Sequence, residues 1–350
     1  MTMTTSVFAL TSGDWAQTFS DRGLPLTGLP YWLDGLYKDK TLWGRHVAPS
    51  TVSAFQVEFD FELPRISQLL RSDDGTVKFQ MQFKDRLEVE TVLIPFHKRF
   101  TVCLSTQVGC AMNCSFCFTG TQGLKRHLSA GEIVGQYLKA LEWLLHEDGR
   151  ALKPSIVFMG QGEPLHNSEA VKKAIEVLND TRCVGVGQRQ MTLSTVGYIP
   201  GIKLLADFPK INYALSLHSP FDTERNVLIP LNQRYPLDEV LVELDKLQLV
   251  KKQFITYEYL MIKDFNLSDA HVEELYQKLH HRKALVNLIP FNPFPGSEWE
   301  RPLPEEIELF RQKLVAKKLR VMVRSTKGHD ILAACGQLKI NKMARTYGNE

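Results

Sequence analysis

Four of the six cysteines of this chain lie within fifteen consecutive residues, and their spacing restricts what this region can fold into. Cys110, Cys114 and Cys117 form a Cys-x3-Cys-x2-Cys pattern, and Cys103 precedes it. Three thiolates at this spacing can each bind a different iron of a [4Fe-4S] cube, which leaves the fourth iron open for chemistry. A zinc site is the alternative, but closed zinc sites need four ligands. The nearest histidine is His127 and no second Cys-x2-Cys follows, so the pattern favours the cluster.

The composition is that of a globular protein. The chain has 350 residues, of which 44% are hydrophobic and 23% charged, enough for one large α/β domain and a smaller one. A net charge of +3 permits a nucleic-acid partner without requiring one. Residues 1–10 have no basic segment and only a short apolar run, so we expect no signal peptide, and no apolar run reaches membrane-spanning length. Clustered cysteines indicate a reducing, cytoplasmic location.

The first hundred residues read as a small mixed unit. Up to about residue 71, short helical pieces alternate with turns, with a candidate helix at residues 31–37. A turn at residues 72–75 then precedes two strands, at 77–83 and 87–94, which we expect to form a hairpin. The strand period places Glu88 and Glu90 on the same side of the second strand. From the residues alone, both carboxylates are expected to be solvated.

After residue 100, strand-like runs alternate with helix-like segments, which predicts parallel strands joined by crossover helices. The pattern alone leaves open a doubly wound sheet or an incomplete barrel. The predicted strands are residues 101–105, 155–159, 190–194, 212–218, 254–262, 284–290 and 320–324, and the predicted helices are 130–146, 168–178, 237–247, 268–281 and 305–316.

Glycine-rich and polar segments follow four of these strands. They occupy residues 160–164, 194–197, 216–219 and 292–296, and the cysteine pattern follows the first strand. Each segment alone is ordinary loop punctuation. Because the carboxyl ends of parallel strands share one edge, where such folds keep their active sites, we expect these segments to meet there.

The pattern Cys-x3-Cys-x-aromatic-Cys, with Phe116 as the aromatic residue, resembles the signature of radical S-adenosylmethionine (SAM) enzymes. Further segments resemble one subgroup, the dual-specificity adenosine-C2 RNA methyltransferases, over about residues 73–338. The resemblance implies an α/β fold: a partial (β/α)6 barrel with a small mixed N-terminal domain and a short C-terminal extension. The matching segments are residues 89–95, 105–110, 158–164, 289–296 and 333–338.

The resemblance implies four parts. Residues 1–72 would form an N-terminal helical accessory domain that binds RNA, 73–100 a hairpin linker carrying Glu90, 101–325 the radical SAM core, and 326–350 a C-terminal segment carrying Cys335. It also implies a [4Fe-4S] cluster on Cys110, Cys114 and Cys117. The residues implied to bind SAM are Gly162, Glu163, Ser194, Ser216, Leu217, His218 and Asn292.

The resemblance also implies a reaction that consumes two SAM molecules per turnover. The first methylates Cys335, and the second is cleaved to a radical that activates the S-methyl group for addition to C2 of an adenine. Glu90 accepts the C2 proton, and Cys103 then forms a transient disulfide with Cys335 that releases the RNA. The implied substrates are 23S ribosomal RNA, at the peptidyl-transferase centre, and certain transfer RNAs, at the adenosine 3′ of the anticodon.

Other expectations concern partners and alternatives. We expect a monomer, without a membrane partner, that receives electrons from a reducing protein. Ser219 and Pro220 resemble antibiotic-resistance relatives that methylate C8, so C8 methylation is the alternative activity, and a non-catalytic iron-sulfur RNA-binding protein is a third. Cys183 and Glu88 match nothing functional, and we expect a structural and a surface role. Candidate phosphate-binding residues are Lys84, Arg86, Lys98, Arg99, Lys125, Arg126, Lys317, Lys318 and Arg320.

Overall fold

The computed structural model describes residues 4–38, 47–96, 99–149, 153–251 and 253–339. Within these ranges, ten strands form one sheet in the order β1-β2-β3-β4-β7-β8-β9-β10-β11-β12, and β5 pairs with β6 separately. The strands are β1 (Arg65–Arg71), β2 (Val77–Gln82), β3 (Glu88–Phe96), β4 (Arg99–Cys103), β5 (Gln107–Gly109), β6 (Leu124–His127), β7 (Ser155–Phe158), β8 (Met191–Thr195), β9 (Asn212–Ser216), β10 (Ile255–Met261), β11 (Ala284–Pro290) and β12 (Val321–Val323).

The large sheet changes character at β4. Strands β1 to β4 pair antiparallel, whereas β4 and every strand from β7 to β12 pair parallel. Its two edges, β1 and β12, do not pair with each other in the described part of the chain, so the sheet stays open. The prediction of a partial barrel is therefore confirmed, and the carboxyl ends of the parallel strands share one rim.

Helices connect the parallel strands, as the alternating pattern predicts. The first crossover helix begins with a capping box between Ser129 and Glu132 and ends at Gly149, whose φ of 70° suits glycine. None of the helices in the described ranges is long and apolar enough to cross a bilayer. The α-helices are Ser12–Asp21, Leu29–Tyr37, Pro49–Glu58, Ala130–Asp148, Ser168–Asn179, Ile199–Ile202, Asp222–Leu228, Leu237–Asp245, Asp269–Leu279 and Pro304–Ala316.

One segment differs from its prediction. Residues 65–71, grouped with the helical pieces by sequence, form strand β1, which pairs antiparallel with β2 through a turn at residues 72–76. Five of its seven side chains are exposed, so no apolar period marks it in the sequence. This strand is held by hydrogen bonds to β2 rather than by burial of its side chains. Backbone pairing of this kind leaves no periodic pattern of apolar residues in the sequence.

The N-terminal helices enclose an aromatic core. Trp15, Trp32 and Phe55 are buried, and their ring centroids lie 5.0 to 5.6 Å apart. This part is joined to the barrel by the Ser12 N–H, which donates to Asp180 at 2.8 Å, and by an ion pair of Lys173 with Asp14 at 2.6 Å. Because β1 to β3 continue into the barrel sheet, the division of the chain at residues 72 and 100 stays a prediction.

Candidate active site

The three closely spaced cysteines lie in a loop between β5 and β6, here called the cysteine loop (residues 110–123). The loop is closed by the Cys110 N–H, which donates to the Gly123 carbonyl at 3.1 Å, and by the Cys117 N–H, which donates to the Cys114 carbonyl at 3.2 Å. Gly109 has a φ of 76°, and a Cβ there would lie 1.8 Å from the Gly123 oxygen. Only glycine fits at this entry to the loop.

The thiols of Cys110, Cys114 and Cys117 are free and line one cavity, here called the main cavity. Burial raises the pKa of Cys110 to about 12, with a smaller contribution from Cys117. Burial raises the pKa of Cys114 well above its usual range, and the neighbouring thiols Cys117 and Cys110 add to the effect. Three thiols that repel one another when ionised need positive charge among them, which iron would supply.

Three of the four polar segments predicted to share one edge meet at the main cavity, namely 160–164, 194–197 and 216–219, whereas 292–296 does not reach it. The cavity also receives Cys335 from the far end of the chain and two residues that the sequence analysis missed or left unassigned, Glu258 and Pro164. The lining residues with functional predictions are Cys110, Cys114, Cys117, Gly162, Glu163, Ser194, Ser216, His218 and Cys335.

The Glu163 carboxylate joins two strand ends. Its Oε1 accepts the Leu165 N–H at 3.0 Å and its Oε2 accepts the Val196 N–H at 2.9 Å. Burial raises its pKa to about 7, and these hydrogen bonds act in the opposite direction. Both oxygens are therefore engaged in fixing the loops after β7 and β8.

His218 has a strained backbone, with a φ of 61°, at a position that L-residues rarely adopt. The Leu260 N–H donates to its Nδ1 at 3.1 Å, so Nε2 carries the proton in the neutral ring. Burial lowers the pKa of His218 to about 3, and the charge of Arg225 adds to the effect. The ring of Phe116, in the cysteine loop, packs edge-on against the His218 ring, and the two ring centroids lie 4.5 Å apart.

Arg225, which the sequence analysis missed, holds the strand ends together. Its side chain is fully buried, and its guanidinium donates to the carbonyls of Val196 at 2.7 Å, Ser216 at 3.1 Å and Leu217 at 3.1 Å. Asn232 accepts a fourth hydrogen bond. The guanidinium thus fixes the main chain on either side of the predicted SAM-binding residues.

Glu258 is a second residue that sequence reasoning missed. It is a buried carboxyl on β10 that lines the main cavity, and its Oε2 accepts the Ser194 hydroxyl at 3.2 Å. Burial raises its pKa, while the charge of Arg324 acts in the opposite direction. The available signal was a carboxylate inside the apolar run 254–262, where a purely structural strand would carry none.

A second cavity adjoins the first, and Cys335 and Gly336 form part of the wall that they share. Cys103, Cys335, Asn292 and Arg324 line this second cavity. Burial raises the pKa of Cys103 to about 12, and Cys335 contributes next. Burial also raises the pKa of Cys335, whereas the guanidinium of Arg324 lowers it. The two distant cysteines are thus brought to one place, as predicted.

Cys335 is carried by a loop that closes over both cavities, here called the carrier segment (residues 328–339). The Phe118 N–H donates to the Gly336 carbonyl at 2.7 Å, and the Thr119 hydroxyl donates to the Leu338 carbonyl at 2.6 Å. Asn292 donates through Nδ2 to the Cys335 carbonyl at 3.3 Å. The carrier segment therefore rests directly on the cysteine loop.

Glu90 is buried, so the expectation of a solvated carboxylate is wrong for this residue. It lies on β3, and the pairing of Val92 with Cys103 places Glu90 and Cys103 on the same face of the sheet. Glu88 shares that face, as predicted, but it is half-buried rather than at the surface. Its carboxylate accepts the side-chain amides of Gln80 at 2.7 Å and Gln82 at 3.1 Å.

The remaining predicted residues take other positions. Leu217 is fully buried, and its N–H donates to the Glu258 carbonyl at 2.9 Å. Asn292 lines the second cavity rather than the main one. Cys183 is buried in the hydrophobic core, consistent with a structural role.

Several candidate phosphate-binding residues are neutralised by ion pairs. Lys84 pairs with Asp60, Arg126 pairs with Asp85, and Lys317 pairs with Glu273. Lys98 lies outside the described residues. Within the described ranges, Arg86, Arg99, Lys125 and Lys318 are exposed and without an ion-pair partner.

Comparison with known proteins assigns the barrel. Residues 104–279 match the model of the radical SAM superfamily. The crystal structure of a radical SAM methyltransferase from Sphaerobacter thermophilus superposes with a TM-score of 0.87 and 36% sequence identity, covering 96% of this chain and 99% of that one.

The superfamily uses a [4Fe-4S] cluster and SAM, and the cysteine loop suits such a cluster. Within the described residues, no three cysteine, histidine or carboxylate side chains converge as a single metal ion would require. A cubane needs no such convergence, because each thiolate binds a different iron. Cys110, Cys114 and Cys117 would hold the cluster beneath apolar neighbours that include Met112, Phe118 and Phe291.

Sequence relatives narrow the family. A dual-specificity RNA methyltransferase RlmN from Syntrophotalea carbinolica is 44% identical over 269 residues, which cover 77% of this chain and 71% of that protein. A second one, from Syntrophus aciditrophicus, is 42% identical over 276 residues, covering 79% and 78% respectively. The chain is therefore a member of the RlmN family of dual-specificity RNA methyltransferases, within the radical SAM superfamily.

Proposed function

We propose that this enzyme methylates C2 of adenosine in 23S ribosomal RNA, at the peptidyl-transferase centre, and in certain transfer RNAs, at the adenosine 3′ of the anticodon. One observation carries the proposal: Cys335 lines the same cavity as the three thiols of the cysteine loop, while Cys103 lies with it in the adjoining cavity. A methyl carrier must reach both the radical source and a resolving thiol, and this arrangement supports both contacts.

The cluster and SAM, when bound, supply the one-electron chemistry that activates an otherwise inert methyl group. Cys110, Cys114 and Cys117 would bind the cluster. SAM would lie in the main cavity, against Gly162, Glu163, Ser194, Ser216 and His218, with Leu217 shaping the strand end. Asn292 would contribute from the second cavity, where it also holds the Cys335 carbonyl.

The protein's own residues carry the methyl group and the protons. Cys335 holds the one-carbon unit as a thioether. Its methyl carbon would lose one hydrogen atom to the one-electron chemistry that SAM supplies and bond to C2 of the adenine, and the extra electron of the adduct would pass to the cluster. Glu90 then takes the proton that was on C2. Cys103 loses its proton and attacks the Cys335 sulfur, so that an S–S bond forms and the S–C bond breaks. The electron pair of that bond passes to the carbon on the base, where a proton completes the methyl group.

The resulting disulfide must be reduced by an external dithiol before another cycle, and the cluster must receive an electron from a reducing protein partner. A reducing cytoplasm suits both needs. Since one copy of the chain supplies every residue invoked, a monomer is sufficient for the reaction.

The test is Cys335→Ala, assayed with RNA, SAM and a reductant under anaerobic conditions. Methylation of RNA should be lost, because no carrier thiol remains, while SAM cleavage to 5′-deoxyadenosine persists. Cys183→Ala is the matched control, since this thiol is buried in the core away from both cavities, and it should methylate RNA normally. Normal methylation by Cys335→Ala would refute the carrier role.

A further inference from the structure

Lys78 shares the sheet face that carries Glu90 and Cys103. It pairs with Val92, and Val92 pairs with Cys103, so the three strands β2, β3 and β4 present these side chains on one side. The opposite face of β2, with Val77, contributes to the hydrophobic core. A solvated lysine would be the ordinary expectation on a strand face opposite the hydrophobic core.

The Lys78 side chain is instead almost completely buried. It retains 9% exposure and the Glu90 side chain 6%, and Lys78 Nζ lies 3.0 Å from Glu90 Oε1. The same ammonium donates to the Leu332 carbonyl at 3.1 Å. A buried ammonium is costly unless it is paired and hydrogen-bonded, and here it meets both needs with one carboxylate and one carbonyl.

Glu90 has a second oxygen that is free to act. Its Oε2 is buried and makes no hydrogen bond within the described part of the chain. Burial raises the pKa of Glu90, whereas the ammonium of Lys78 and the main-chain N–H of Lys339 oppose this effect. The neighbouring groups Gln80, on β2, and Cys103, on β4, are uncharged near neutral pH. Lys78 is therefore the charge that most favours the ionised carboxylate.

The other contact of Lys78 falls on a strained point of the carrier segment. Leu332 has a φ of 51°, in the left-handed region that a leucine rarely adopts. The following Ala333 N–H donates to the Gly328 carbonyl at 2.8 Å, which closes the turn. Leu332 lies three residues before Cys335, so Lys78 anchors the carrier segment one turn away from the carrier sulfur.

We propose that Lys78 is a positioning residue for methyl transfer: its ammonium holds the Glu90 carboxylate and the carrier segment in one arrangement. A single buried cation thereby fixes the position of the base, Glu90, and of the segment that carries Cys335. This inference rests on the proposed function of Glu90 and Cys335. It assigns Lys78 to the loss of the C2 proton, with no part in SAM cleavage.

The experiment compares Lys78→Met, Lys78→Arg and Glu90→Gln in single-turnover methylation of a transfer RNA across pH. The Lys78 ammonium favours ionised Glu90, so the pKa of Glu90 should rise in Lys78→Met. The acid limb of the rate–pH profile of this variant should therefore move to higher pH. We expect a loss of about tenfold or more on the acid limb and a partial recovery at high pH, where the Leu332 carbonyl still lacks its donor. Lys78→Arg should restore most of the native profile.

Controls separate positioning from misfolding. Lys246→Met removes an exposed lysine that pairs with Glu243 and lines neither cavity, so it should leave the profile unchanged. Methylation of Cys335 should proceed in every variant. A covalent RNA–protein adduct should accumulate in Lys78→Met at low pH. An equal loss at all pH values, or a native profile alongside an inactive Glu90→Gln, would overturn the role of Lys78. A normal rate for Glu90→Gln would instead overturn the proposed role of Glu90.

Discussion

Replacing Arg225 with methionine tests how the strand ends are held around the main cavity. The guanidinium donates to the carbonyls of Val196 and Ser216 and to the buried Oδ1 of Asn232, and all three acceptors lose this donor in the variant. The Leu217 carbonyl keeps a second donor, the Ser219 N–H at 2.8 Å. Each buried acceptor left without a donor costs about 1–3 kcal/mol, so three cost about 3–9 kcal/mol.

The substitution also removes a buried cation, which offsets part of this loss. We therefore expect the free energy of unfolding to fall by about 3 kcal/mol, an exceptional value for one side chain. Urea unfolding followed by circular dichroism measures it. Arg234→Met is the matched control, because this arginine is exposed and loses only its stacking on Tyr235, so stability should change by less than about 1 kcal/mol.

A functional readout accompanies the stability measurement. Because Arg225 fixes the backbone at Ser216 and Leu217, SAM should bind more weakly to Arg225→Met, measured on folded protein at low temperature. Arg225→Lys keeps the charge but not the planar set of donors. Its stability and its SAM affinity should therefore lie between those of the native protein and those of Arg225→Met. Native stability and native SAM affinity in Arg225→Met would refute the reasoning.

Two further outcomes follow from the site. Burial raises the pKa of Cys103 to about 12, so this thiol stays protonated at pH 7. Iodoacetamide should therefore label Cys103 far more slowly than an exposed cysteine, which peptide mass spectrometry measures. Rapid labelling at pH 7 would contradict the burial of Cys103. A Cβ at Gly120 would lie 2.9 Å from the Cys114 oxygen, so Gly120→Ala should lower the iron bound on reconstitution, whereas Gly13→Ala, with only an ordinary contact at 3.7 Å, should not.

Local patterns predict much of this molecule. Alternation of apolar and polar residues gives the strands, and the shared rim of a parallel sheet explains why Ser194, Ser216 and Glu163 meet. The same period places Glu88 and Glu90 on one face, as the register of β2 and β3 confirms. These features depend on neighbours in sequence or on a general property of parallel sheets.

Burial of charged residues was not predictable in the same way. Lys78 has the pattern of a solvated strand residue, and it is buried because the carrier segment, about 250 residues later, covers it. Arg225 lies in a polar helix, Asp222–Leu228, yet its side chain turns inward to three carbonyls. Such contacts depend on tertiary closure, which no local period records.

The central claim is that Cys335 carries the one-carbon unit and that Cys103 releases it. The most direct measurement is mass spectrometry of the Cys103→Ala variant after reaction with RNA, SAM and a reductant. We predict a covalent adduct in which the Cys335 sulfur is joined through one carbon to adenine C2, because no thiol remains to break the S–C bond. Free methylated RNA released at the native rate, with Cys335 unmodified, would contradict it.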